Sequence, residues 1–244
     1  MADQRGKLHP ISIAIRDIAD IFGKMGFGIA YGPELETDFY NFTGLNIPQD
    51  HPARDMQDPF WIKDRPGEVL RTHTTSVSIR ELEKMAKEGR TKERMIIPNK
   101  VFRNEATDIT HEAQFYQLDG FAVAQVGEIT MAHLKGTLSH FYREYLGPSV
   151  EVRFRPSFFG FTEPSVEVDA WFQAPGKEGR WLEMCGAGML HPNVLRAAGL
   201  DPEKVAGFAF GGGLERVVMV KYGIPDVRYF HGGDARFVYG FDTI

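Results

Sequence analysis

Two strand-like stretches face each other across a short charged loop between residues 101 and 121, VFRNEATDITHEAQFYQLDGF. Met95-Ile96-Ile97 opens the first, which continues to Val101-Phe102-Arg103, and residues 114–121 form the second. Two such runs joined by a polar connection make an antiparallel pair. Cleaner alternation recurs at residues 150–155 (VEVRFR) and 165–173 (SVEVDAWFQ), the pattern of strands with one wet face. Shorter strands fit residues 27–31, 179–186 and 207–210.

Helical spacing appears over residues 10–25, where Ile11, Ile15, Ile18, Phe22 and Met25 share a face, Pro10 suits the first position and Gly26 the stop. Residues 75–89, 128–146 and 214–222 also read as helices, and Asp201-Pro202 marks the start of a short one. Residues 40–70, rich in Pro, Asp, His and Asn, read as a long irregular segment of the kind that often carries function. Helices and strands do not alternate regularly. The expected fold is therefore α+β, with a mostly antiparallel sheet flanked by helices, not a doubly wound parallel one.

No repeat, linker or internal boundary interrupts the 244 residues, so a single domain over 1–244 is expected, with 1–6 as a disordered tail. Hydrophobic residues make up 43%, enough for a sizeable core. No apolar run approaches the ~20 residues of a bilayer span. The first residues, MADQRGKLHPIS, lack the apolar stretch of a secretory signal, which points to a cytoplasmic protein. The lone Cys185 excludes an internal disulfide and a cysteine-based zinc site. A net charge of −5 is unlike a domain that holds nucleic acid unaided, so any such surface is expected largely on another domain or chain.

Four segments suit chemistry. On the first hairpin, Arg103, Glu105, His111, Phe115, Gln117 and Asp119 fit one side of a sheet, because the strand period is two. Arginine offers a rigid fork for phosphate, a carboxylate accepts from an exocyclic amine, and an aromatic face stacks on a base. That set suits a nucleotide site, and equally the solvent face of an amphipathic hairpin. Gly211-Gly212-Gly213-Leu214-Glu215-Arg216 leads a strand into a helix. It matches neither the dinucleotide fingerprint nor a Walker loop. It suits either close approach of a ligand to the backbone, with Arg216 one turn in, or a tight turn with a surface arginine. Phe159 and Phe161 flank Gly160 and suit core packing, or an aromatic guest met edge to face. Glu163, Glu167, Asp169 and Glu183 are carboxylates available to a magnesium ion. Finally, His73 and the hydroxyls around it precede a helix, where Thr75 or Ser76 suits an N-cap as well as a ligand contact.

In their order along the chain these pieces resemble the three motifs of class II aminoacyl-tRNA synthetases. The first is a helix and strand running through Met25-Gly26-Phe27 to Pro33. The second is Phe102-Arg103-Asn104-Glu105 with, after the loop, His111-Glu112-Ala113-Gln114-Phe115. The third is the glycine run ending in Glu215-Arg216. The phrases GPELETDFYNF, LRTHTTS, FRPSFFGFTEPSVEVD and CGAGMLHPNVL narrow the resemblance to the α subunits of bacterial phenylalanyl-tRNA synthetases, from Gly6 onward.

The resemblance implies ATP-dependent activation of phenylalanine, with magnesium, and transfer to tRNA(Phe). Arg103 would hold the α-phosphate, Glu105 the adenine amine, and His111 the outer phosphates. Phe115 and Arg216 would sandwich the adenine, and Glu163 would be a magnesium ligand. Phe159 and Phe161 would embrace the substrate ring, with Ala209 and Gly211 at the far end. Gln117 and Asp119 would take the ammonium group, beside His73 and Thr75. A β subunit in an α2β2 assembly and self-association through residues 10–33 are implied as well. Two departures stand out. Position 119 is Asp where the family more often has Glu, and the family's helical tRNA-contacting arm has no counterpart in these residues. A partner-dependent or non-catalytic relative, or another class II ligase for an aromatic amino acid, is the alternative.

Overall fold

The structure is a computed structural model that describes residues 6–52, 54, 57–173 and 178–241. Most of the expected N-terminal tail, residues 1–5, lies outside the described residues. The chain builds one seven-stranded sheet in the order β1-β4-β5-β9-β8-β7-β6. Its strands are β1 (Gly28–Ile29), β4 (Glu93–Phe102), β5 (Gln114–Gln125), β6 (Val152–Phe159), β7 (Thr162–Phe172), β8 (Arg180–Leu190) and β9 (Val205–Gly213). Every pairing is antiparallel except the short edge strand β1 on β4. The expected α+β class and antiparallel sheet are what the chain forms. A separate ribbon pairs β2 (Leu35–Thr37) with β3 (Glu68–Leu70) inside and beside the segment expected to be irregular.

Each face of the sheet carries its own core. On one lie α1 (Pro10–Lys24), α4 (Met131–Leu146) and α6 (Leu214–Tyr222), which pack Ile18, Phe22, Phe141 and Val217 onto Leu118, Ala122 and Phe210. The rings of Phe22 and Phe210 stack at 5.5 Å. On the other lie α3 (Thr75–Lys87), a 3-10 turn at Thr43–Leu45 and α5 (Pro192–Ala197). They pack Ile79, Leu82, Leu45 and Leu195 onto Ile97, Phe121 and Ala209. Residues of β5 and β9 alternate between the two cores, as a sheet covered on both sides requires. A short α2 (Asp38–Asn41) and a C-terminal α7 (Ala235–Tyr239) complete the helices described.

Two expectations change. The short helix lies at 192–197, not after Asp201. Pro192 occupies its first turn and His191 accepts from the Asn193 N–H, while the Asp201 carboxylate caps only a turn through Glu203 N–H before β9 begins. Second, neither Thr75 nor Ser76 caps α3. The N-cap is Thr74, with no side-chain bond to the helix, which frees the Thr75 hydroxyl for another partner.

Candidate active site

On one face of the sheet two neighbouring strands, β9 and β8, present facing glycines. Gly211 of β9 stands opposite Asp119 of β5 on one side and opposite Gly186 of β8 on the other. A Cβ at Gly211 would meet the Asp119 carboxylate at 2.4 Å, and one at Gly186 would meet the Phe159 ring at 2.8 Å. The absent side chains let the carboxylate lie over β9 and the phenyl ring over β8, one strand spacing or about 5 Å apart. Two residues along, Ala209 faces Gly188 and Phe121 on the same side and is buried with Phe161 packed against its cluster.

Asp119 is 3% exposed. The Thr75 hydroxyl donates to its Oδ2 at 2.6 Å. Burial pushes its carboxyl up to about 6, against the pull of the Thr75 and Thr74 hydrogen bonds and of the Arg103 and Arg71 guanidiniums. Gln117, two residues earlier on the same face, accepts from the Thr74 N–H at 3.2 Å. Beside them His73 is buried, and among the described residues neither ring nitrogen has a hydrogen-bond partner. Desolvation, with the Arg103 cation second, pushes His73 down to about 3, so the ring is neutral at any working pH. A buried carboxylate with an orphaned imidazole is a polar recess whose donors and acceptors are incompletely used.

Arg103 joins that recess to the hairpin loop. Its Nε donates to the Thr72 carbonyl at 3.0 Å, its guanidinium stands 3.7 Å from Glu105 and lies 5.2 Å over the Phe115 ring. Burial lowers its pKa, opposed by Glu105 and Asp119, but leaves it a cation. His111 stands apart on the exposed loop, its Nδ1 3.0 Å from Asp108 Oδ2. Arg216, exposed on α6, donates to the Glu183 carbonyl at 2.9 Å. The structure thus gathers Arg103, Glu105, Phe115, Gln117, Asp119, Thr75, His73 and Gly211 at one end of the sheet face, with Arg216 on α6 and Glu183 on β8 beyond them.

Phe159 and Phe161 lie with their rings nearly parallel at 10° and 5.8 Å between centroids. Ring faces pack at about 3.5 Å, so a guest ring between them would need about 7 Å. The pair therefore does not enclose a ring from both sides; it offers edges and one face. Among the four carboxylates considered for a metal, Asp169 is bonded by Arg153 and Arg155, and Glu167 by Arg155 and Ser157. Glu163 is 73% exposed at its side chain and 3.3 Å from His191. Glu183 is exposed next to Arg216. Among the described residues no group of three or more His, Cys, Asp or Glu is poised for a metal.

Sequence reasoning missed Gly186 and Arg71. Gly186 lies in Cys185-Gly186-Ala187-Gly188, whose alternating small residues signal something laid over a strand, but only the register reveals what. Arg71 is 1% exposed and carries no sequence signal at all.

A model of the family described as "tRNA synthetases class II core domain (F)" matches residues 2–241. The chain is 50% identical over 242 residues to the "Phenylalanine--tRNA ligase alpha subunit" of Syntrophomonas wolfei, covering 96% of this chain and 69% of the relative. It is 49% identical to the α subunit of the same name from Anoxybacillus flavithermus, with 99% and 70% covered. The Bacillus subtilis protein of that name is 47% identical, with 96% and 68% covered.

Proposed function

The chain belongs to the class II aminoacyl-tRNA synthetase core-domain family, and from that premise we propose that it activates phenylalanine with ATP and passes the aminoacyl group to tRNA(Phe). The observation that carries the choice of amino acid is the pair of facing glycines. The Asp119 carboxylate over Gly211 suits an ammonium group, and the Phe159 ring over the adjacent Gly186 suits a phenyl ring, so a charge partner and an aromatic partner stand side by side on one sheet face. Ala209, buried at the closed end, limits the length of the guest.

Substrate recognition follows from the recess. Ionised Asp119 takes the ammonium, with Thr75 holding the carboxylate's orientation and Gln117 beside it. Neutral His73 offers a hydrogen bond without a charge. Arg103, anchored at Nε by Thr72, keeps its remaining N–H groups for the α-phosphate and the amino acid carboxylate. Glu105 accepts from the adenine amine, Phe115 and Arg216 flank the base, and His111 on the loop meets the outer phosphates. The carboxylate oxygen attacks the α-phosphorus, the new P–O bond forms, the bond to the β-phosphate oxygen breaks, and pyrophosphate leaves. Arg103 neutralises charge that develops on the α-phosphate, and alignment of the two bound substrates supplies much of the remainder. The tRNA terminal ribose hydroxyl then attacks the carbonyl carbon of the adenylate, the ester bond forms as the acyl–phosphate bond breaks, and AMP and the hydroxyl proton leave.

A magnesium ion fits the oxygen donors, since it keeps several waters and takes one or two carboxylates together with phosphate. Glu183 keeps an exposed carboxylate beside Arg216, where a bound ion would neutralise phosphate charge, whereas Glu163 lies at the opposite end of the β7–β8 pair, next to His191. A β subunit is the proposed partner, in keeping with the α-subunit names of the relatives and with the net charge of −5, which leaves most tRNA-binding surface to another chain. No described helix is long and apolar enough to cross a membrane.

The test is ATP–pyrophosphate exchange with each amino acid in turn, with and without the β subunit. Exchange with phenylalanine, much weaker with tyrosine, is expected. Failure to exchange even with the β subunit present overturns the catalytic reading in favour of a relative that only binds.

A further inference from the structure

The proposed chemistry leaves one buried acid beside the site without a task. Glu215 opens α6 immediately before Arg216 and is 3% exposed. Both its carboxyl oxygens accept from the Tyr116 N–H, at 2.8 and 3.0 Å. His231 Nε2 stands 3.9 Å from Oε1. Tyr116 is the residue after Phe115.

The register explains why a side chain is needed there. β5 and β9 pair from Gln125↔Val205 to Gln117↔Gly213, and there β9 ends. In an antiparallel ladder alternate residues bond to the same neighbour, so Tyr116 points its N–H to the β9 side, as Leu118 does. No strand residue remains to receive it, because the chain has turned into α6. The Glu215 carboxyl stands where the next strand carbonyl would be. It extends the ladder by one rung across the gap at which Phe115 and Arg216 part.

We propose that Glu215 is a positioning residue that fixes Phe115 relative to Arg216, so that one side chain sets the spacing of the two walls of the adenine site. This rests on the reading of those two residues as the adenine walls. The rival account is that an acid in the first turn merely stabilises α6 through the helix dipole. That role would change stability but would not discriminate between substrates. Burial pushes the Glu215 carboxyl up to about 8, against the pull of the Tyr116 hydrogen bond.

The experiment compares Glu215→Leu and Glu215→Gln in the full chain co-purified with its β subunit. Exchange kinetics and Tyr116 amide hydrogen exchange are the readouts. E215L removes the acceptor at similar bulk. It is expected to raise KM for ATP about tenfold, the worth of one buried hydrogen bond, with KM for phenylalanine unchanged and the Tyr116 amide deprotected. E215Q keeps an acceptor oxygen and is expected to restore both. If E215L does not fold, E215D replaces it, being one methylene too short to reach Tyr116. A deprotected amide with unchanged KM for ATP, or KM values raised equally for both substrates, overturns the inference and leaves the functional reading standing. A wild-type protein that neither binds ATP nor exchanges overturns the functional reading and this inference with it.

Discussion

At the scale of single residues, the site depends on how burial tunes two groups that both feel the Arg103 charge. Asp119 is pushed up to about 6 and His73 down to about 3, both mainly by desolvation. An ammonium pairs with the ionised carboxylate, and below pH 6 the free site holds the neutral acid. KM for phenylalanine is therefore expected to rise about tenfold per pH unit below 6, with no further step from His73 above about pH 4. Exchange kinetics across that range check it. Asp119→Asn is expected to flatten the profile at a uniformly high KM; an unchanged profile in D119N would detach the pH dependence from this group. Arg103 acts through a planar fork, one arm of which is already committed to Thr72. Arg103→Lys keeps the charge but not the fork, so the exchange rate is expected to fall about a hundredfold, while the protein stays folded by circular dichroism. Residue types were the most legible part of the sequence. Arg103, Glu105, Phe115, Gln117 and Asp119 sit near one another because a hairpin with period two leaves them little choice. The buried states of Asp119 and His73 were not legible, since they arise from segments packed over them from elsewhere in the chain.

At the scale of elements, the controlling fact is the alignment of β5, β9 and β8. Register puts Gly186 opposite Gly211, and no local pattern in either strand announces that pairing. This is why the phenylalanines and the carboxylate were legible as candidates while the glycine joining them was not. Gly186→Ala places a Cβ 2.8 Å from the Phe159 ring, which must rise into the pocket. KM for phenylalanine is expected to increase with KM for ATP unchanged; equal effects on both would mean that the sheet itself had shifted. Ala209→Gly works in the opposite sense by removing a methyl at the closed end. It is expected to admit para-substituted phenylalanines, measured by exchange with each analogue, and unchanged discrimination would move the end of the pocket elsewhere. The short helix at 192–197 was misplaced to Asp201 for a related reason. Both segments carry turn-forming residues, but only the first has room for a full turn before Gly199 at φ +79° ends it, whereas β9 begins four residues after Asp201.

At the scale of the whole molecule, the two cores leave the site at one end of the second, and one arginine ties that end together. Arg71 is 1% exposed, and its guanidinium donates to three carbonyls: Lys100 at 2.6 Å, Gly32 at 2.9 Å and Pro33 at 3.1 Å. Its own carbonyl accepts from the Phe102 N–H at 2.9 Å, directly before Arg103. One side chain thus joins the end of the first helix-and-strand unit to β4 and to the segment that carries His73. The fold class was legible because alternation and helical spacing are local. This cross-tie was not, because an arginine between leucine and threonine looks like any surface arginine. Exposed pairs such as Arg228–Asp226 and Arg236–Asp234 contribute little, since solvent screens them and ordering the side chains offsets the gain. Arg71→Met is different, because it strands three carbonyls in the interior. It is expected to lower unfolding free energy by about 3–5 kcal/mol in urea. If Arg71 also sets Arg103 through Phe102, the exchange rate of R71M falls under conditions where the variant remains folded. Loss of stability with full exchange activity would confine Arg71 to holding the fold, and it would leave the aligning of Arg103 to Thr72, Glu105 and Phe115.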